Sequence, residues 1–207
     1  MPLPTLAITG GTGFVGATLV RHAAMRGHHV RALTRKPQVS GSKIEWVEGS
    51  LDQPESLVRL AVGADTVIHV AGAINARDRA GFQSDNVFGT LNMVEAAKAA
   101  GVRRFIHVSS MAAREPELSD YGWSKARSEQ IVGASGLDWT IVRPGGLTDE
   151  PGRGLVAVAP SLARRGTIAR DDVAAVLAAC LDEPRTVRAA FDLLQGETPI
   201  VQALAAL

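Results

Sequence analysis

The run Gly10-Gly11-Thr12-Gly13-Phe14-Val15-Gly16 follows Thr5-Leu6-Ala7-Ile8-Thr9 with no spacer, and that juxtaposition leaves this chain few folds to choose from. Thr5–Thr9 is apolar enough to be a strand buried on both faces. From Gly16 to Arg26 the spacing is helical, and Gly27 supplies a stop. Three glycines at this spacing are common in any sequence. A strand, a glycine turn and a helix in immediate succession are more specific. Glycines let the backbone approach an anion, and the helix N-terminus adds unpaired N–H groups with a partial positive charge. Gly10, Thr12, Gly13, Phe14, Val15 and Gly16 are therefore expected to seat a dinucleotide pyrophosphate. The opposing reading is a tight turn that binds nothing.

The rest of the chain repeats the same grammar. Strands are expected at His29–Thr34, Ile44–Glu48, Thr66–Val70, Arg104–Val108, Thr140–Arg143 and Ala190–Leu194. Helices are expected at Pro54–Ala61, Asn86–Ala100, Tyr121–Ala134, Asp171–Leu181 (capped by Asp171 or Asp172) and Thr198–Leu207. Alternating strands and helices imply an α/β fold of Rossmann type, a doubly wound parallel sheet with helices on both faces. The expectation is a single domain over residues 1–207, with 147–207 as a small substrate-side portion. Leu147–Thr167, rich in Gly, Pro and Arg, shows weak periodicity. It is either a plain connection or part of a substrate site.

The end of the second strand bears on which dinucleotide is bound. A carboxylate there would bind the ribose 2′-hydroxyl of NAD. This chain has Leu33-Thr34-Arg35-Lys36 instead. A guanidinium pairs with a 2′-phosphate and offers it two parallel hydrogen bonds. NADP(H) is therefore favoured over NAD(H), with Arg35 as its main partner and Thr34 and Lys36 in support. The bland alternative is a solvated turn before Pro37.

Composition narrows the remaining classes. With 22 Lys+Arg against 21 Asp+Glu, the net charge of +1 gives no reason to invoke nucleic acid or a membrane surface as partner. No apolar run is long enough to span a bilayer. The opening MPLPTLAITG lacks the charged start of a signal peptide, so a cytoplasmic location is expected. The single cysteine, Cys180, lies in an apolar run and reads as a packing residue. The five histidines show no metal-ligand spacing, and no metal is expected. His69 and His107, inside strand runs, read as core residues. Oligomeric state is left open by the sequence.

Further motifs fall into a familiar order: Val67-Ile68-His69-Val70-Ala71-Gly72, Asn86-Val87-Phe88-Gly89-Thr90, Phe105-Ile106-His107-Val108-Ser109-Ser110, Tyr121-Gly122-Trp123-Ser124-Lys125 and Arg143-Pro144-Gly145-Gly146. With the glycine loop, they resemble the short-chain dehydrogenase/reductase superfamily. The likeness is to its extended and atypical members, the NAD-dependent epimerase/dehydratase-like and NAD(P)H-binding proteins, and it covers nearly the whole chain. It implies that Tyr121 is a general acid/base. Lys125 would hold the nicotinamide ribose and lower the tyrosine pKa, and Ser110 would orient the substrate oxygen, with Ser109 beside it. It also implies that Ser50 and Leu51 border the adenine and that Ala71 and Gly72 border the adenosine ribose. Asn86 would begin the helix beneath the nicotinamide, and Pro144 and Gly145 would flank the carboxamide. Residue chemistry supports the central pair independently. Tyr121 and Lys125 are i and i+4, on one helical face. A phenol of pKa near 10 needs a nearby cation to work at neutral pH.

Two departures matter. Such families commonly carry Asp where Ser50 stands, with Asp52 only nearby, which leaves the adenine contact open. Only about 60 residues follow Gly146, where extended sugar epimerases place a larger substrate domain, so a nucleotide-sugar substrate is not expected. The leading functional expectation is an NADP(H)-dependent oxidoreductase acting on a small carbonyl or alcohol. The alternatives are a non-catalytic NADP(H)-binding sensor and an epimerase or dehydratase.

Overall fold

A computed structural model describes residues 3–207; Met1 and Pro2, the first two residues of the N-terminal segment read above, lie outside the described residues. The strands are β1 Leu6–Thr9, β2 Val30–Thr34, β3 Ile44–Glu48, β4 Thr66–His69, β5 Arg104–Val108, β6 Asp138–Pro144, β7 Gly146–Thr148, β8 Leu155–Ala159, β9 Thr167–Ala169, β10 Ala189–Gln195 and β11 Thr198–Pro199. The helices are α1 Phe14–Met25, α2 Pro54–Ala61, α3 Arg79–Phe82, α4 Gly89–Ala99, α5 Asp120–Ala134, α6 Arg170–Ala179 and α7 Ile200–Leu204.

Among the described residues, nine strands form one sheet in the order β11-β8-β10-β6-β5-β4-β1-β2-β3, parallel except where β8 runs against β10 and β11. Adjacent residues of each central strand serve opposite faces. Leu6, Ile8, Ile68, Ile106 and Val142 pack with α1, α6 and α7. Ala7, Val67, Phe105 and Ile141 pack with α2, α4 and α5. Both faces are thus covered, which explains why the central strands are apolar almost throughout. The chain winds outward in one direction through β2 and β3 and in the other through β4, β5 and β6. The crevice at the carboxyl end of β1 is the switch point of the sheet, the position where such sheets bind ligands.

The sheet is larger than its seven expected strands. Leu147–Thr167 is more than a connection: it contributes β8, completes the small parallel pair β7–β9, and returns the chain to the sheet edge. Gly and Pro hid its alternation. The expected terminal helix Thr198–Leu207 is also corrected. Thr198 and Pro199 pair with Val156 and Leu155, and only Ile200–Leu204 is helical. The helix expected from Asn86 begins earlier, at Arg79. There Asp78 accepts a hydrogen bond from the Gly81 N–H, and the chain then passes through a π-helical turn, Gln83–Phe88. Helix α6 has no side-chain cap from Asp171 or Asp172. Asp172 instead turns away to accept the backbone N–H groups of Arg153 (3.0 Å) and Gly154 (2.7 Å), pinning the loop before β8. No helix among the described residues is long and apolar enough to cross a membrane.

Candidate functional site

The glycine turn closes on itself where β1 ends. Gly10 has a positive φ of 71°, and a Cβ there would lie 2.8 Å from the Ala71 nitrogen. At Gly16 a Cβ would stand 2.0 Å from the Gly10 carbonyl oxygen. No larger residue fits either position, so the turn and the helix start are locked together. The first intrahelical bond runs from Ala17 N–H to Gly13 O, at 2.9 Å. The amides of Phe14, Val15 and Gly16 precede it, and α1 has neither a side-chain cap nor an acidic residue in its first turn. Helix starts ordinarily recruit such a group. An uncapped start beneath a glycine turn that a Cβ would fill is a cradle suited to an anion. Thr12, Gly13 and Phe14 are exposed around it, whereas Val15 and Gly16 are buried below.

A continuous polar chain ties this turn to the opposite side of the crevice. The Ala71 N–H donates to Thr9 Oγ1 (3.2 Å), and the Thr9 hydroxyl donates to His69 Nδ1 (2.7 Å). His69 Nε2 donates to Thr90 Oγ1 (3.1 Å), whose hydroxyl donates to the Asn86 carbonyl (2.6 Å). This order of donors assigns His69 as neutral with its proton on Nε2. Burial, aided by the Lys125 charge, holds its pKa down at about 3. His107 stacks on it at 5.3 Å, also fully buried, and neither of its ring nitrogens has a hydrogen-bond partner among the described residues. Both histidines thus lie in the core.

Asn86 sits inside the π-helical turn, a distortion that often marks functional sites. Its side chain accepts from Ala73 N–H (2.7 Å) and donates to Ala73 O (3.0 Å) and to Ser124 Oγ (2.9 Å). It thereby clamps the segment after β4 to α5, and a Cβ on Gly72 would meet Asn86 Oδ1 at 2.9 Å. The Asn86 carbonyl also accepts the Ser128 hydroxyl at 2.9 Å. Ala71 and Gly72 are thereby fixed between the glycine turn and Lys125, whose Nζ would stand 3.7 Å from that same Gly72 Cβ.

Helix α5 begins at Asp120 because the Ser119 hydroxyl accepts the Gly122 N–H at 3.0 Å. Tyr121 and Lys125 follow on one face. Lys125 is almost wholly buried and donates from Nζ to the Val108 carbonyl at 2.7 Å. Burial pushes its ammonium down to about 8, with Glu129 pulling the other way. The Tyr121 ring lies against Phe82 at a centroid distance of 5.9 Å. Burial raises the phenol above its ordinary pKa, and hydrogen bonding with Ser110 lowers it only in part. The expected depression by Lys125 is therefore not what governs this site; desolvation is. Ser110 caps the 3-10 turn Met111–Arg114 by accepting the Ala112 N–H (3.2 Å), so the short link to Tyr121 is compact.

Other sequence candidates are placed less centrally. Ser109 is buried, and its hydroxyl donates to Glu129 Oε1 at 2.5 Å. Glu129 also takes both arms of Arg143, the shortest at 2.6 Å. The hydroxyl of Thr34 donates to the Lys36 carbonyl (2.6 Å) and accepts the Lys36 N–H (3.2 Å), so it builds the turn on which Arg35 and Lys36 are exposed. Ser50 donates to Asp52, which keeps that carboxyl below its usual range, and the Leu51 carbonyl accepts Asn92 Nδ2 at 2.8 Å. Pro144 ends β6, and the Gly145 N–H donates to Leu193 O at 3.0 Å.

Gly145 is packed tightly against Leu147–Thr167, since a Cβ there would stand 2.4 Å from Gly166 O. Beyond it opens a cleft of about 570 Å³ lined by Arg153, Val156, Arg164, Thr167 and Gln195 among others; Tyr121 and Lys125 do not line it. The same segment is strapped to the Ser110 side. Arg114 donates to the Leu162 carbonyl (2.9 Å) and to the fully buried Asp192 (2.6 Å), and Asp192 also accepts the Leu162 N–H (2.8 Å). Sequence reading missed Arg114 and Asp192, which lie far apart in the chain and carry no motif.

Known proteins are similar to this chain in sequence and in fold. The sequence profile of a family described as NAD(P)H-binding matches residues 10–184. The uncharacterized sugar epimerase YhfK of Bacillus subtilis is 38% identical over 208 residues, covering 95% of this chain and 97% of that protein. The ceramide reductase of Caulobacter vibrioides is 48% identical over 143 residues, 67% of this chain but only 45% of that longer protein. A solved structure from Bacillus halodurans, provisionally named an NAD-dependent epimerase/dehydratase, superposes with a TM-score of 0.91 at 27% identity, over 99% of this chain and 100% of that one. The strand–glycine turn–helix, the sheet order and these matches agree: the chain belongs to the NAD(P)H-binding family, with the extended short-chain dehydrogenase/reductase fold.

Proposed function

We propose that the protein is an NADP(H)-dependent reductase of a small carbonyl compound, with Tyr121 as acid, Ser110 as its hydrogen-bonding neighbour and Lys125 as the cation behind them. The observation that carries this reading is geometric: Tyr121, packed against Phe82, and the buried Lys125, bonded to Val108 O where β5 ends, stand one turn apart on α5, and burial keeps the phenol above its ordinary pKa. A phenol that stays protonated is the form needed to give a proton to an alkoxide. When bound, the reduced nicotinamide supplies a hydride to the substrate carbon. The chain's own part is to orient the carbonyl oxygen between Ser110 and Tyr121 and to pass it the Tyr121 proton. Lys125 then stabilises the phenolate that remains. A relative named a reductase, aligned over two thirds of the chain, favours this direction.

In this reading the cofactor lies with its pyrophosphate over Gly13–Gly16. Ala71 and Gly72 would border its adenosine ribose, and Lys125, Pro144 and Gly145 would flank its nicotinamide end. Arg35, exposed on the turn after β2, would meet the 2′-phosphate, with Lys36 beside it. Replacing Arg35 by Glu should weaken NADPH by about 100-fold and leave NADH within about threefold, since charge-assisted bonds to a phosphate are worth ~1.5–3 kcal/mol and a Glu adds repulsion. Titration of both nucleotides against both proteins checks this. Equal affinities of the wild type for NADPH and NADH would remove the argument for NADP(H).

An epimerase is the second reading, favoured by the name of the relative that matches nearly end to end. An epimerase regenerates its cofactor within each turnover; a reductase consumes one per product. That difference separates the two without knowledge of the natural substrate.

A further inference from the structure

Arg170 is the first residue of α6, and α6 packs beside α1 on the same face of the sheet. Its guanidinium carbon lies 4.7 Å from the centroid of the Phe14 ring, the first residue of α1 and part of the glycine turn. A cation from the C-terminal third of the chain is therefore held on the side chain of a residue that forms the anion cradle. The Arg170 side chain is only 19% exposed, and its Nε is buried with no hydrogen-bond partner among the described residues. Its carboxylate partner among the described residues is Asp149, at 2.6 Å, and that side chain is 87% exposed. A guanidinium has five donors in a rigid fork, and a buried donor left unpaired is costly. A salt bridge to a solvated carboxylate returns little of that cost. The arrangement is poorly satisfied as a structural ion pair, yet the Phe14 ring fixes where the cation stands.

We propose that Arg170 is a ligand for the cofactor's pyrophosphate, donating to a phosphate oxygen seated on the Phe14–Gly16 amides, with Asp149 as the carboxylate that releases it. The phosphate would meet two kinds of donor: backbone N–H groups from below and a guanidinium from the side. Because β9 feeds directly into Arg170, the same contact would fix β9 and Gly166, which packs against Gly145, beside the bound dinucleotide. The inference rests on the glycine turn holding a dinucleotide. It assigns Arg170 to the pyrophosphate, not to the 2′-phosphate assigned above to Arg35.

Calorimetric titration of NADPH, NADH and ADP-ribose against the wild type, Arg170→Gln, Arg170→Lys and Asp149→Asn tests it. All three probes carry the pyrophosphate, and ADP-ribose lacks the nicotinamide. Arg170→Gln is expected to weaken all three alike, by about 10-fold or more, the usual size for a charge-assisted hydrogen bond. Arg170→Lys should recover part of the loss, and Asp149→Asn should tighten all three by roughly threefold, the size of a removed surface ion pair. Unchanged affinities in Arg170→Gln overturn the inference. So does a loss confined to NADPH, which moves the contact to the 2′-phosphate, or a loss that spares ADP-ribose, which moves it to the nicotinamide. If Arg170→Gln does not fold, Arg170→Lys and Asp149→Asn carry the test, and wild-type affinities in both overturn it. A wild type that binds none of the probes contradicts the glycine-turn reading itself, whereas a wild type that binds them beside an unaffected Arg170→Gln contradicts only this inference.

Discussion

Tyr121→Phe is expected to lower carbonyl reduction by about 10²–10⁴-fold, the usual contribution of a positioned general acid, while NADPH affinity stays within about twofold and the melting temperature within a few degrees. The ring that remains keeps its contact with Phe82, and only the hydroxyl beside Ser110 is lost. Tyr121 is the chain's sole tyrosine, so no neighbouring phenol can take over. Steady-state rates with a carbonyl panel, together with NADPH titration of the same preparation, separate lost chemistry from lost binding. Turnover equal to wild type would remove Tyr121 from the mechanism.

Lys125→Met is expected to abolish turnover and, unusually for a buried site, to raise stability. In the folded protein the ammonium pKa falls from 10.5 to about 8. A cation with a depressed folded pKa destabilises the fold wherever it is still charged in both states. That penalty, ~3 kcal/mol for a shift of this size, is fully present below about pH 8. It fades as pH rises through the interval to 10.5, where the unfolded chain binds the extra proton. Methionine removes the penalty and fills a similar volume. It forfeits the hydrogen bond to Val108 O, worth ~1 kcal/mol. The net expectation at pH 7 is a gain of about 2 kcal/mol, shrinking toward pH 10, measurable by urea unfolding across that range. In the wild type, reductive turnover should fall as pH rises through about 8, when Lys125 loses its charge. A Lys125→Met protein less stable than wild type at pH 7 would show that the Val108 bond outweighs the buried charge.

The features legible in sequence were those where one residue type answers one local demand. Gly10 and Gly16 are forced by backbone contacts a Cβ would violate, and the apolar strands by helices on both faces. Tyr121 and Lys125 were legible because helical spacing alone brings them to one face. The pKa of Tyr121 was not, because it depends on how deeply the fold buries the ring, and burial outweighs the neighbouring groups. The strands β7, β8 and β9 were hidden because their pairing is tertiary. Thr167–Ala169 pairs with Gly146–Thr148 across a loop, and Leu155–Ala159 is only a strand because Ala189–Gln195 lies beside it. The Arg114–Asp192 clamp and the Arg170–Phe14 stack join residues too distant in sequence for any spacing rule. Thr34 and Ser109 show the converse. Each was read from residue type, and the bonds that orient its hydroxyl, Thr34 to the Lys36 carbonyl and Ser109 to Glu129, could not be.

If bound NADPH is spent as a reductant at Tyr121, one NADPH is oxidised for each product molecule formed. The direct measurement is the ratio of NADPH oxidised to product formed, followed with purified protein and a carbonyl substrate identified from a panel. The proposed mechanism gives a ratio of one with the wild type and no reaction above background with Tyr121→Phe. Product formed with no net change in NADPH, or NADPH that binds and is never oxidised by any member of the panel, would contradict it.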